Sequence, residues 1–142
     1  MASKREDILD AIKTALAGTT GVSTRIFRSR TIPLAQRSQL PALIIEWSSD
    51  NPEQNTALPT LDWSLSVSVT VLSSGDVPDE QADDTIISMH SKIMADLTLG
   101  GEAIDIQPST VSFEAIDGDS PIGVTTCEYI VLYRTEVGDL TQ

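Results

Sequence analysis

The sequence predicts an α+β fold, a mainly antiparallel β-sheet with two helices packed on it in the order α-β-β-β-α-β-β-β. Three observations carry that reading. Ile8, Leu9, Ile12, Ala15 and Leu16 repeat at helical spacing. Trp63, Leu65, Val67, Val69 and Val71 alternate with Ser64, Ser66, Ser68 and Thr70, the period of a strand with one buried face. Ala82, Ile86, Met89, Ile93 and Leu97 step by three or four residues, which places one apolar stripe on a second helix.

The elements follow in order. Ser3 stands where an N-cap belongs and Glu6 comes three residues later, the capping-box spacing. Gly18 ends the helix, which spans 4–17. Residues 24–30 read as a short strand and 31–40 as a loop. Pro41 opens the apolar run 42–47, a strand covered on both faces at one end. Residues 48–59 include Asp50, Asn51, Pro52, Glu53 and Pro59, the composition of a mobile polar loop. Trp47 and Trp63 flank it and are expected to pack as a cross-strand pair. Pro78 suits a first helical turn. Asp79, Glu80, Asp83 and Asp84 follow where the helix dipole favours negative charge, and Gly100 with Gly101 stops this helix of 79–98. Residues 104–107 and 109–116 read as two strands around Pro108, 117–123 as a hairpin connection and 124–134 as the last strand. The polar residues 136–142 read as a flexible tail.

A chain of 142 residues, 40% of them hydrophobic, fits one domain with a core of its own. Its net charge of −12 is unevenly spread: residues 1–45 carry +4 and residues 46–142 carry −16. Blocks of opposite sign can pair within a domain or between copies of it. So acidic a chain is poorly suited to hold nucleic acid by neutralising phosphates. No apolar stretch approaches a membrane span. The charged start, Lys4-Arg5-Glu6-Asp7, lacks the apolar core of a secretory signal. The lone cysteine, Cys127, excludes an internal disulfide and fits a reducing cytoplasm.

Few residues suggest chemistry. His90 is the only histidine and has no nucleophile with a positioned partner, so a packed or partly exposed helix histidine is the better reading. Cys127 lies mid-strand, where a buried structural thiol is expected. Asp117-Gly118-Asp119 resembles the start of a calcium loop, but Pro121 and Ile122 break the ligand spacing; a weak cation site with Glu114 is the alternative to an ordinary turn. With no phosphate-loop or metal-ligand spacing in the chain, neither enzymatic activity, a cofactor nor a metal is expected. Arg25, Arg28, Arg30 and Arg37 form the one basic cluster. They read equally as charges that guard a sheet edge or as a docking strip for an acidic partner. Asp79, Glu80, Asp83 and Asp84 are the candidates for that opposing surface.

The leading helix, the strand Arg25-Ile26-Phe27-Arg28-Ser29-Arg30, the entry Leu40-Pro41-Ala42-Leu43, the long alternating strand, the acidic helix and the closing Glu128–Arg134 strand together resemble the tail terminator proteins of tailed bacteriophages. This is the minor tail protein family that includes the lambda-type terminator, with tail-completion and head–tail joining proteins as relatives. The resemblance implies a non-enzymatic virion protein, assembled in the host cytoplasm and placed at the neck end of the tail. There it forms a ring, usually a hexamer, that stops polymerisation of the tail tube protein and offers a surface to the head–tail connector. DNA passes through its lumen without specific binding, and no membrane is involved. The alternatives are a head–tail joining neck protein and a monomeric adaptor that binds a peptide along a sheet edge.

Overall fold

The computed structural model describes residues 3–19, 22, 26–28, 42–54, 57, 59–74, 78–116 and 122–141, with Pro78, Asp79, Gln81 and Ile116 in backbone only. The elements are α1 (Lys4–Ala15), β1 (Ile26–Arg28), β2 (Ala42–Glu53), β3 (Thr60–Ser74), α2 (Pro78–Met94), a 3₁₀ turn (Leu99–Gly101), β4 (Asp105–Ile116) and β5 (Ile122–Glu136). The strands form one sheet in the order β1-β2-β3-β5-β4. Only β1 runs parallel to its neighbour; the other three pairings are antiparallel. The fold class is therefore α+β, as the patterning predicts.

Both helices bury their apolar stripes against the same face of the sheet. Ile8, Leu9 and Ile12 of α1 and Ala82, Met89 and Ile93 of α2 join Leu43, Ile45, Leu65, Val67, Val69, Val71, Cys127, Tyr129 and Val131 in one core. Ala42, Ile44 and Leu72 form a smaller buried group on the opposite face, with Phe27 and Val124 packed against it. The apolar run at the start of β2 is thus covered on both faces, which explains why it does not alternate.

Local chemistry sets the helix ends. The Ser3 hydroxyl accepts the Glu6 amide at 3.2 Å, as an N-cap should. Gly18 has φ +84°, a conformation that favours glycine, and it follows the last turn of α1. The second helix ends at Met94, short of the glycine pair expected to stop it. Asp96 takes the amides of Thr98 and Gly100 and so builds a turn before Gly100 is reached.

Four expectations differ from the structure. Residues 48–53 are not a loop: β2 continues through them to Glu53, paired with β3 as far as Asp62. A register shift between Trp47 and Ser49 lets the strand run on. Trp47 and Trp63 are not a cross-strand pair, because Trp47 stands opposite Val67 and Trp63 opposite Pro52. The two short strands around Pro108 are one strand, β4, with a register shift between Pro108 and Thr110, so five strands replace the six expected. Proline is tolerated there because β4 is an edge strand. The residues read as a polar tail turn back on the domain: the Lys4 amide donates to the Leu140 carbonyl at 2.7 Å and the Val137 amide to Pro59 at 2.9 Å. The 117–121 connection lies outside the described residues.

Candidate functional site

The strand registers place four residues abreast in rows across the face of the sheet opposite the helices, which no described helix covers. Glu46, Ser68, Glu128 and Thr110 make one row; Ser49, Ser66, Ile130 and Gln107 make the next; Asn51, Ser64, Leu132 and Asp105 make a third. Glu53, Asp62 and Arg134 make a fourth, and Thr60 with Glu136 ends the series. The buried residues of both helices belong to the other face. Among the described residues the open face therefore carries Glu46, Glu53, Asp62, Asp105, Glu114, Glu128 and Glu136 against one guanidinium, that of Arg134. Arg134 Nε donates to Asp62 at 2.6 Å, and this partner holds the guanidinium's pKa above its ordinary value. The result is a hydroxyl-lined surface of strongly negative character. A cavity of about 390 Å³ opens at one end of it, between Trp63, Ile104, Leu132 and Arg134.

The edge of the sheet is the second feature. No strand among the described residues pairs with the outer edge of β4. Val111 stands opposite Cys127 and Phe113 opposite Thr125, so both side chains lie on the helix-side face. Yet Val111 is 66% exposed and Phe113 46%. Helix α2 lies mainly over β3 and β5; Ile106 of β4 is buried in the core, while Val111 and Phe113 further along the strand are left exposed.

Of the sequence-predicted interface residues, the described ones lie on two elements, Arg28 on β1 and the acids on α2. Arg28 is held by α1, donating to Asp10 at 2.8 Å and to Glu6 at 3.0 Å. Its guanidinium is spent within the domain, and Glu6 serves it rather than closing a capping box. Arg25, Arg30 and Arg37 lie outside the described residues. Glu80, Asp83 and Asp84 are exposed on the first turns of α2, to which Asp79 also belongs. Other described cations have carboxylate partners too: Lys4 meets Glu102 at 3.5 Å and Arg5 meets Asp50 at 3.4 Å.

His90 Nδ1 lies 2.8 Å from the Tyr129 hydroxyl, and the two rings stack at 5.9 Å. Burial pushes the Tyr129 hydroxyl up to about 12 and raises the Cys127 thiol as well, which leaves neither as a ready nucleophile at neutral pH. Among the described residues no group of three or more His, Cys, Asp or Glu side chains is placed to hold a metal. Glu114 is exposed, while Asp117 and Asp119 lie outside the described residues.

One polar cluster escaped the sequence reading. The register shift after Trp47 puts Trp47 and Asp50 on the same, helix-side face of β2. Arg5 reaches down from α1, with its guanidinium carbon 4.3 Å over the Trp47 ring and Nη1 3.4 Å from Asp50 Oδ2. The Tyr133 hydroxyl donates to the same oxygen. Tyr133 in turn stacks on Trp63 at 6.1 Å, and Trp63 Nε1 donates to Thr135 at 2.9 Å. The cluster clamps α1 to β2 and β5. Nothing in the spacing of Arg5, Asp50 and Tyr133 announces it; a lone acid in a polar stretch beside a tryptophan was the only available sign. No helix among the described residues is long and apolar enough to cross a membrane. Comparison with protein-family models and with curated proteins gives no match.

Proposed function

We propose that the chain is a non-enzymatic ring protein of a phage virion that caps the head-proximal end of the tail tube. The uncovered sheet face is the observation that carries the reading. Among the described residues it presents seven carboxylates and one arginine already bound to a carboxylate. Duplex DNA carries about one negative charge per 1.7 Å, and a wall of this character repels it rather than holding it. A conduit for DNA needs such a wall, and a DNA-binding protein needs the reverse. Helices on one face and, beyond the buried group at Ala42, Ile44 and Leu72, a hydrophilic carboxylate-bearing stretch on the other suit a subunit with an outside and a lumen. The resemblance in element order to tail terminators supports the same reading.

The edge of β4, which no described strand pairs with, favours one second reading, a monomeric adaptor that adds a peptide strand to its sheet. Co-sedimentation separates the possibilities. The chain is mixed with purified tail tubes and, separately, with DNA-filled heads. Pelleting with tubes is the expected result. Pelleting with heads alone reassigns the chain to head–tail joining, and pelleting with neither contradicts the virion reading.

A further inference from the structure

We propose that the outer edge of β4 is the docking surface for a second copy of this chain, the two β4 strands pairing antiparallel about a twofold axis at Ser112. The pairing goes beyond the ring reading above and does not depend on it.

The two ends of the sheet differ. At one end, β1 is three residues long and carries Arg28. A short strand with a charge on it discourages further pairing. At the other end, β4 runs for twelve residues, and no described strand lies beyond it. Every residue from Gln107 to Ala115 is exposed. That stretch has no lysine or arginine and a single carboxylate, Glu114, in a chain of net charge −12. Val111 and Phe113 supply its exposed apolar surface. A long, uncharged edge that exposes apolar side chains is a template for another strand.

The residues of this edge match their own copy. Pro108 has no amide hydrogen and limits pairing at that end. Ser109–Ala115 remain, and Ser112 is their centre. An axis there, perpendicular to the sheet, makes an isologous contact in which helix-side residues meet helix-side residues. Val111 then stands opposite Phe113 of the second copy, and Phe113 opposite its Val111. Cross-strand pairs of an aromatic with a β-branched residue are stabilising. Copies of so acidic a chain repel one another over long range. This register brings them together with one carboxylate on each side, and each Glu114 faces the hydroxyl of Thr110 rather than its own kind. Seven paired residues make an interface smaller than the standard size, so the free chain is expected to dimerise weakly, with a Kd of roughly micromolar or above.

Cysteine pairing tests the contact. Ser112→Cys places a thiol on the axis itself, where directly opposed residues have Cα atoms about 4.5–5.5 Å apart, within reach of a disulfide. Thr14→Cys, on the exposed side of α1, is the control. Native Cys127 is buried and stays in place. Each variant is oxidised and resolved by mass, and the parent is sedimented over a range of concentrations. The expected results are a covalent dimer of Ser112→Cys in excess over the control and a monomer–dimer equilibrium in the parent. Phe113→Asp should weaken that equilibrium by roughly tenfold or more, the usual loss when a central interface aromatic is removed. Val111→Lys, at a still more exposed position, should act in the same direction. A parent that stays monomeric, with no cross-link above the control, overturns the second copy as occupant and leaves the edge to a peptide strand. Association that survives both substitutions overturns the pairing and points to contacts elsewhere, as a ring needs. Tail tubes left bare while the Ser112→Cys dimer forms contradict the ring reading and uphold this pairing.

Discussion

Asp50 shows how one side chain ties a helix to the sheet. Its carboxylate is only 3% exposed, and Tyr133 and Arg5 both address Oδ2, while Oδ1 has no hydrogen-bond partner. Removing a partner from so buried a group is costly, so Tyr133→Phe should lower stability by about 1–3 kcal/mol in urea denaturation. Burial raises the Asp50 carboxyl above its ordinary 3.8, against the opposing pulls of Tyr133 and Arg5. The folded chain then holds that proton more tightly than the unfolded chain. The stability Asp50 contributes therefore falls as pH rises from 3.8 through the raised folded value, and it stays low above it. In Asp50→Asn this slope should vanish, so its stability relative to the parent improves across that window. An unchanged pH profile in the variant would contradict the account. Arg28 gives a second lesson. Because it pairs with Glu6 and Asp10, Arg28→Glu would set three carboxylates together and disturb the fold itself. Arg30 and Arg37 are the better probes of assembly.

At the scale of elements, the helix caps and the edge strand carry the expectations. Ser3→Ala removes the acceptor for the Glu6 amide and should cost about 1 kcal/mol, read as a shift in denaturation midpoint. Val111→Lys and Phe113→Lys place charge on a bare edge, where exposed substitutions usually stay within about 0.5 kcal/mol. The same variants should associate less than the parent in sedimentation. Element by element, the sequence was readable where a periodic apolar face meets a single core. The alternation of β3, the stripe of α2 and the two-sided burial of β2 were all legible for that reason. The second half of β2 was not, because Ser49, Asn51 and Glu53 lie on the uncovered face and no apolar alternation marks them. Its Asp50-Asn51-Pro52 composition argued for a turn, and long-range pairing with β3 prevailed. The continuity of β4 was hidden by Pro108 for the same reason: edge position, not local propensity, decides whether a proline can stay in a strand. The Arg5–Asp50–Tyr133 cluster depends on a register shift, and no local pattern announced that shift.

For the whole molecule, charge and exposure divide one face from the other. The helices close the core on one side, and on the other no described helix covers the carboxylate-bearing rows of the sheet. If the lumen is formed by that open face, raising its positive charge should make the ring hold DNA. Glu46→Lys with Glu128→Lys, adjacent to Ser68 in one row, is the direct variant. The expected outcome is salt-sensitive retention of duplex DNA by the variant and none by the parent. If Arg30 and Arg37 of one copy meet Glu80 and Asp83 of the next, association should weaken as salt rises toward 1 M, where the screening length shrinks to about 3 Å.

The most direct test of the central claim is electron microscopy of tail tubes polymerised with and without the chain. The account predicts tubes that carry a ring at one end only and stop at uniform length when the chain is present. Tubes of unchanged length distribution with bare ends would contradict it.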